Sequence, residues 1–427
     1  MTRRHNFLWK LFLFFAFISG AVLRLIWPGD MEYKEDEEYM FLRHIHVGTE
    51  PWPWLGIPSG VYIKNPGMSV WVFLLLGKLF RVTNPMELCR AVEILNITAL
   101  GLMIYFAVKI ITPKEQKSWF WAMALACVNP FAVMYHRKIW AQSVLPIFSL
   151  FFLMSWWKRH RRGGAFFWGL LGACMGQIHM SGFFFSAGFV LWALIFDRRS
   201  IQWKPWFLGS VFGSLTLIPW FVHLATEPTG HPLVFGWGEA IQLKFWVFWI
   251  TDSLGLHLGN ALGVLNGNGL WDQISDFIRY PLILGHPSFM VGIAHLVIAL
   301  LGVGIVFRKI LTGKWPRNYQ EFFRGNGSET VFAQNSALFG YGILITVSSV
   351  LIHRFYLLVT FPLEFVFLAR LALSDQKWGQ LCLTGLFVAE LFISMNFLVY
   401  IHDHDGAIHG DYGQAFRTLK ANPEATP

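Results

Sequence analysis

The fold class predicted here is an all-α polytopic membrane protein of about eleven transmembrane helices, with amphipathic surface helices in its first outer loop. Three observations predict it. Of 427 residues, 55% are hydrophobic and only 14% charged, against roughly 45–50% and about 25% in an average soluble domain. The 42 Phe and 21 Trp carry more apolar surface than one soluble core hides. The apolar residues also fall in runs near the ~20 residues that cross a bilayer, separated by short charged segments. A cytosolic enzyme, a disordered chain and a disulfide scaffold are excluded. Cys127, Cys174 and Cys382 lie inside apolar runs and Cys89 at the edge of another, with no CxxC pair, so they read as reduced structural thiols.

The amino terminus reads MTRRHN and then 21 mostly apolar residues, 7–27. That run closes on Arg24-Leu-Ile-Trp-Pro with no small-residue cleavage site, which predicts a retained span rather than a signal peptide. Further spans are expected at 88–111, 118–134, 139–157, 164–180, 181–196, 205–224, 287–307, 332–351, 356–373 and 379–400. One helix over 164–196 would reach ~50 Å at ~1.5 Å per residue, so His179-Met-Ser-Gly182 is read as the tip of a hairpin. Met68–Phe80, only 13 residues long, is placed flat on the membrane surface, and 241–265 is expected to be an interfacial helix.

Charge fixes the expected sidedness. With these spans, one set of loops holds 17 Lys/Arg and 5 Asp/Glu, the other 12 Lys/Arg and 17 Asp/Glu. Because basic loops stay inside, the amino terminus is expected inside, while the acidic segments and the carboxyl terminus lie outside. Residues 1–400 form the membrane unit, with a first outer loop at 28–87 and a second at 225–286, and 401–427 is an outer tail. The expected location is a cytoplasmic membrane of bacterial type.

Polar groups concentrate directly after the first span. Asp30, Glu32, Glu35, Asp36, Glu37 and Glu38 are six carboxylates within nine residues. A helix from about Lys34 to Val47 would put Phe41 and Ile45 on one face and Glu37 and Glu38 on others. Crowded carboxylates in a partly dehydrated site raise one another's pKa, which suits general-base work; a solvated acidic loop that caps a helix is the plainer reading. Arg137, Lys138, Arg354 and Lys64 are cations expected at the same membrane boundary. An arginine fork suits a phosphate, so Arg137 and Arg354 come first, although each could instead be a snorkelling helix anchor. His179 at the hairpin tip could touch sugar or phosphate, or simply cap. The tail groups His402, Asp403, His404, Asp405, His409 and Asp411 within ten residues, in a spacing that matches no zinc pattern.

The pieces KEDEEYMF, Tyr62-Ile-Lys-Asn-Pro66, the apolar helix ending Gly77-Lys-Leu-Phe80, Tyr135-His-Arg-Lys-Ile-Trp-Ala-Gln-Ser143 and His353-Arg-Phe-Tyr356 recur in this order along nearly the whole chain. Together they resemble the GT-C glycosyltransferases that use lipid-linked sugars, in particular the protein O-mannosyltransferase and aminoarabinose lipid A transferase superfamily. The resemblance implies an inverting transfer of a sugar from a polyprenyl-phosphate carrier to an acceptor hydroxyl at the outer face. On that reading Asp36 is the base and Glu37 its partner acid. Tyr39, Lys64, Asn65, Arg137, Lys138, Gln142, His179, His353 and Arg354 would contact substrate. One departure stands out: Ile63 occupies the place before Lys64 where the aminoarabinose enzymes carry a Glu.

The chemistry requires no cofactor and leaves room for a divalent metal, with no metal ligands assigned. The expected partners are the lipid-linked donor, an acceptor that is a glycan, lipid or protein, and the bilayer, but no nucleic acid. The rival readings are a transporter or flippase working through Glu364 and Glu390, which lie mid-span where a charge is costly, and a glycan polymerase or ligase.

Overall fold

The computed structural model describes residues 3–58, 63–227, 241–256, 276–312, 318–406, 412 and 414–421. Its described residues are almost wholly helical, with two short two-stranded antiparallel sheets, Leu55–Pro58 on Lys64–Pro66 and Leu282–Ile283 on His286–Pro287. All eleven expected apolar runs are helical over most of their length. Among the described residues, five are long and apolar enough to cross a membrane: Leu8–Leu25, Pro85–Lys109, Trp203–Thr226, Met290–Leu311 and Gln376–Asp403. Counting the pair Arg354–Thr360 and Leu363–Ala372, bent by 81°, makes six.

The shorter runs are broken for identifiable reasons. Gln116–Val128 stops at Asn129-Pro130, where proline has no amide to continue the ladder and the Asn129 side chain accepts from the Ala132 amide at 3.2 Å, starting Pro130–Tyr135. Pro362 separates the two halves of the bent pair. The expected hairpin is present as Arg162–Ile178 and Ser181–Phe196, and Gly182 permits the tight crossing: a β-carbon there would lie 2.4 Å from the Met175 carbonyl. Close helix contact matters because lipid offers no hydrophobic drive for helices to associate, leaving packing and hydrogen bonds to hold the bundle. Trp119, Trp156, Trp168 and Trp249 are buried in it.

The surface helix falls at Met68–Phe80 as read, and the first-loop helix runs Glu35–Ile45. Phe41 and Ile45 share one face of that second helix, four residues apart, as read. The helix buries Glu37 and Met40, half-buries Phe41 and leaves Ile45 exposed. The interfacial helix expected at 241–265 is formed over Lys244–Ser253; most of 225–286 and the tail residues His409 and Asp411 lie outside the described residues. All four cysteines are free.

Candidate functional site

The acid loop is shaped by its first turn. Trp27 takes a left-handed backbone (φ 47°), and Pro28–Asp30 form a single 3-10 turn. The chain is extended through Tyr33 until Lys34 begins the next helix, where the Lys34 amide donates to Glu37 Oε2 at 3.1 Å. Four acids fill that helix's first turn, where the helix dipole favours them.

Glu32 and Glu37 are both fully buried. Glu32 forms ion pairs with Lys34 and with Lys138, itself only 3% exposed. The Lys138 ammonium also lies 4.3 Å from the centre of the Trp140 ring, in cation–π range. Glu37 has no ion pair of this kind, and its Oε1 has no hydrogen-bond partner. Burial, reinforced by the Glu32 carboxylate and opposed by Lys138, pushes its pKa up from 4.5 to about 8. Asp36 is exposed by surface area, yet enough protein crowds its carboxylate that partial desolvation, and then Glu35, raise its pKa; Lys138 acts on it in the opposite direction. The arrangement is a neutral buried acid beside an open, reluctant one, both within the field of one buried cation.

Arg137 holds the helix end instead of facing the loop. Its Nη1 donates to the Leu23 carbonyl at 2.9 Å, and its Nη2 to those of Ile26 and Trp27 at 2.8 and 3.0 Å. Its Nε lies 3.8 Å from buried Glu93. Carbonyls at a helix end have no partners within the helix, and here one guanidinium supplies them. Arg24 acts similarly one turn earlier, donating to the Gly20 and Cys127 carbonyls at 2.9 and 2.7 Å and to His136 Nδ1 at 3.1 Å.

An aromatic chain joins the acid loop to the other predicted residues. Trp140 packs edge-on to Phe355, 5.7 Å between centres. Phe355 stacks with His353 at 5.1 Å and meets His179 at 5.9 Å. His179 also packs edge-on to Tyr356 at 4.9 Å. Gln142 is half-buried in the turn Ala141–Val144, which packs against Arg354–Thr360. Arg354 pairs with buried Asp252, donates to Thr251 Oγ1 at 3.1 Å and lies 4.5 Å from the Phe248 ring centre. Burial raises the Asp252 carboxyl, and the guanidinium beside it pulls back. The Lys64 side chain is exposed, while its carbonyl accepts from Trp220 Nε1 at 2.7 Å. Asn65 donates to the Ile57 carbonyl at 3.0 Å. Tyr39 takes the Arg43 guanidinium over its ring at 5.1 Å.

Three residues that the sequence did not single out belong to this site: Glu32, Trp140 and Asp252. Glu32 was visible only as one acid in a run, because its partner Lys138 is remote in sequence. The tail supplies a further surprise. Asp30 is held by His402 at 2.9 Å and Arg417 at 3.2 Å, and its carbonyl accepts from the Tyr412 hydroxyl. His402 stacks on Trp27 at 4.1 Å. The Tyr33 amide donates to the Gln414 carbonyl and the Phe416 amide to that of Met31, both at 2.9 Å, with a strand-like bridge between Glu32 and Ala415. Among the described residues, no three His, Cys, Asp or Glu converge as metal ligands. Glu364 accepts from Thr360 at 3.0 Å, and Glu390 is buried.

No family model matches the chain, and no curated protein matches it. Among solved structures it is similar to ArnT from Cupriavidus metallidurans in the apo state, with 13% identity and a TM-score of 0.43 over 94% of this chain and 80% of that one. It is similar to the same protein bound to undecaprenyl phosphate, with 12% identity and a TM-score of 0.43 over 96% and 78%. A third likeness is to the Archaeoglobus fulgidus oligosaccharyltransferase in its apo form, with 14% identity and a TM-score of 0.37 over 94% and 52%.

Proposed function

We propose that the chain is a GT-C glycosyltransferase that moves a sugar from a polyprenyl-phosphate carrier to an acceptor hydroxyl at the outer face of a membrane. The observation that carries this reading is the pairing of exposed Asp36 with buried Glu37 at the start of one helix, fixed in place by the Glu32–Lys138 ion pair. A base must be open to its substrate and have a pKa lifted toward neutrality; Asp36 meets both requirements. Glu37, buried and protonated near neutral pH, adds no second negative charge beneath Asp36. The leaving group is a phosphate, which needs positive charge rather than a strong acid. Lys64 and Arg354 are assigned to that charge, and the Trp140–Phe355–His353 ring series is assigned as a wall for the sugar. Arg137, with its donors spent on carbonyls, is assigned to holding the first helix against the loop.

Asp36→Asn tests the reading. In membranes supplied with polyprenyl-phosphate sugars, loss of a positioned base lowers transfer by about 10²–10⁴-fold, with protein level and thermal melt unchanged. Full activity in that variant removes Asp36 as the base.

A further inference from the structure

At the end of the bundle remote from the acid loop, two cavities of about 560 and 540 Å³ share Arg370 as part of their lining. Their walls differ in kind. The first is polar and basic: Lys114, Lys117 and Arg370 line it with Ser118 and Asn326. The helices Gln116–Val128 and Gln376–Asp403 both begin at its edge, turning the positive ends of two helix dipoles toward it. The second cavity is lined chiefly by Phe322, Leu338, Phe339, Phe367 and Leu371, with Lys309 at its rim.

The acids in these walls are largely engaged. Glu115 accepts from Thr330 at 2.8 Å and from the Ser328 hydroxyl, and Glu329 pairs with Arg159 and Arg324. Glu321 lines the second cavity. An orphan donor points to an occupant. Gln334, 1% exposed and part of the second wall, accepts from Arg370 through its oxygen, while its Nε2 has no partner. An unmade hydrogen bond on a buried group is costly.

We propose that the two adjoining cavities are a binding site for an anionic phospholipid, with the phosphate held between Lys114, Lys117 and Arg370, an ester carbonyl accepting from Gln334 Nε2 beside Arg370, and the acyl chain in the apolar cavity. A cationic chamber that shares a wall with an apolar one matches an amphiphile, and basic pockets between transmembrane helices are suited to anionic headgroups. The proposal is independent of the reaction assigned to the acid loop.

The test uses the full-length protein, equilibrated with phosphatidylcholine vesicles containing phosphatidylglycerol, with lipid retained after detergent extraction counted by native mass spectrometry. Phosphatidylglycerol is expected to be retained over phosphatidylcholine, and excess inorganic phosphate should not displace it. Lys114→Gln with Lys117→Gln should lower retention about tenfold or more. Leu371→Trp, which fills the apolar cavity and removes no charge, should lower it as well. If that variant does not accumulate, Phe322→Asp on the exposed rim tests the same wall. Equal retention of the two lipids, or retention unchanged in the charge and cavity variants, would overturn the site. Displacement by inorganic phosphate with a silent cavity variant would assign it to free phosphate and overturn it equally.

Discussion

Two buried ionic clusters occupy opposite ends of this bundle, and they are built on different plans. Remote from the acid loop, Arg159 pairs with Asp197 at 2.6 Å and Glu329 at 2.8 Å, and Arg324 meets Glu329 at 3.1 Å. Each acid there has its own cation, and Arg159 also lies 4.0 Å from the Trp156 ring centre. In the acid loop, Glu32 takes both Lys34 and Lys138, leaving Glu37 buried without an ion pair and Asp36 crowded by acids. A balanced cluster holds helices together. An unbalanced one keeps protonatable groups near neutrality at a cost in stability, which is how a catalytic site differs from a structural one.

The comparison is broken most severely at its balanced end. Arg159→Ala removes the cluster's one fully buried cation and leaves Asp197 and Glu329 to share Arg324, which should cost up to about 3 kcal/mol, read as loss of folded protein in thermal melts. A variant that melts normally would mean that the two clusters do not differ in the way described.

Glu37→Gln gives the next effect, with the opposite sign. The native carboxyl titrates near 8 against 4.5 when exposed, so between those values the unfolded chain releases a proton that the native state keeps. Wild-type stability therefore falls as pH rises from about 4.5 to 8, by up to about 1.4 kcal/mol per unit. The glutamine variant lacks that slope, and its advantage in melting temperature should grow from pH 5 to pH 8 by a few degrees. A constant difference across that range would show that Glu37 titrates normally.

Lys64→Ala and Arg354→Lys sharpen the functional half. Loss of a phosphate contact should raise the KM for the lipid-linked donor about tenfold, with kcat changed less. An unchanged donor dependence in both variants refutes their assignment to the phosphate. The smallest effect belongs to Arg43→Ala. Its pair with Glu50 at 2.8 Å is exposed on both sides, and such pairs contribute roughly 0–1 kcal/mol. A larger loss would mean that the Tyr39–Arg43 stack supports the site.

Much of this architecture was legible because it follows from hydropathy and local chemistry. The runs of apolar residues gave the helices and Met68–Phe80 was delimited to the residue, whereas 118–134 and 356–373, read as single spans, are broken at Asn129-Pro130 and at Pro362. The acid loop could be found because six carboxylates beside a span are unusual on any physical ground. Its internal arrangement could not. Amphipathicity put Phe41 and Ile45 on one face but said nothing of Glu37, which is buried beside the Glu32–Lys138 pair that no local pattern shows. Arg137 read as a phosphate fork because nothing local says that the first helix ends in a left-handed turn at Trp27, which turns the Leu23, Ile26 and Trp27 carbonyls toward its guanidinium. The tail's histidines and aspartates suggested ligands; His402 turned out to hold Asp30 of the loop, while His404 faces Asp276.

That last contact carries a consequence for biogenesis. Asp30 and Tyr412 are 382 positions apart, and at about 5–20 residues per second a ribosome needs roughly 20–80 s to travel between them. Throughout that interval the loop emerges without its bracing strand, and Asp30 has neither His402 nor Arg417 beside it. The base proposed at Asp36 thus sits in an unbraced loop until residues 402–417 have been made and have folded back onto it.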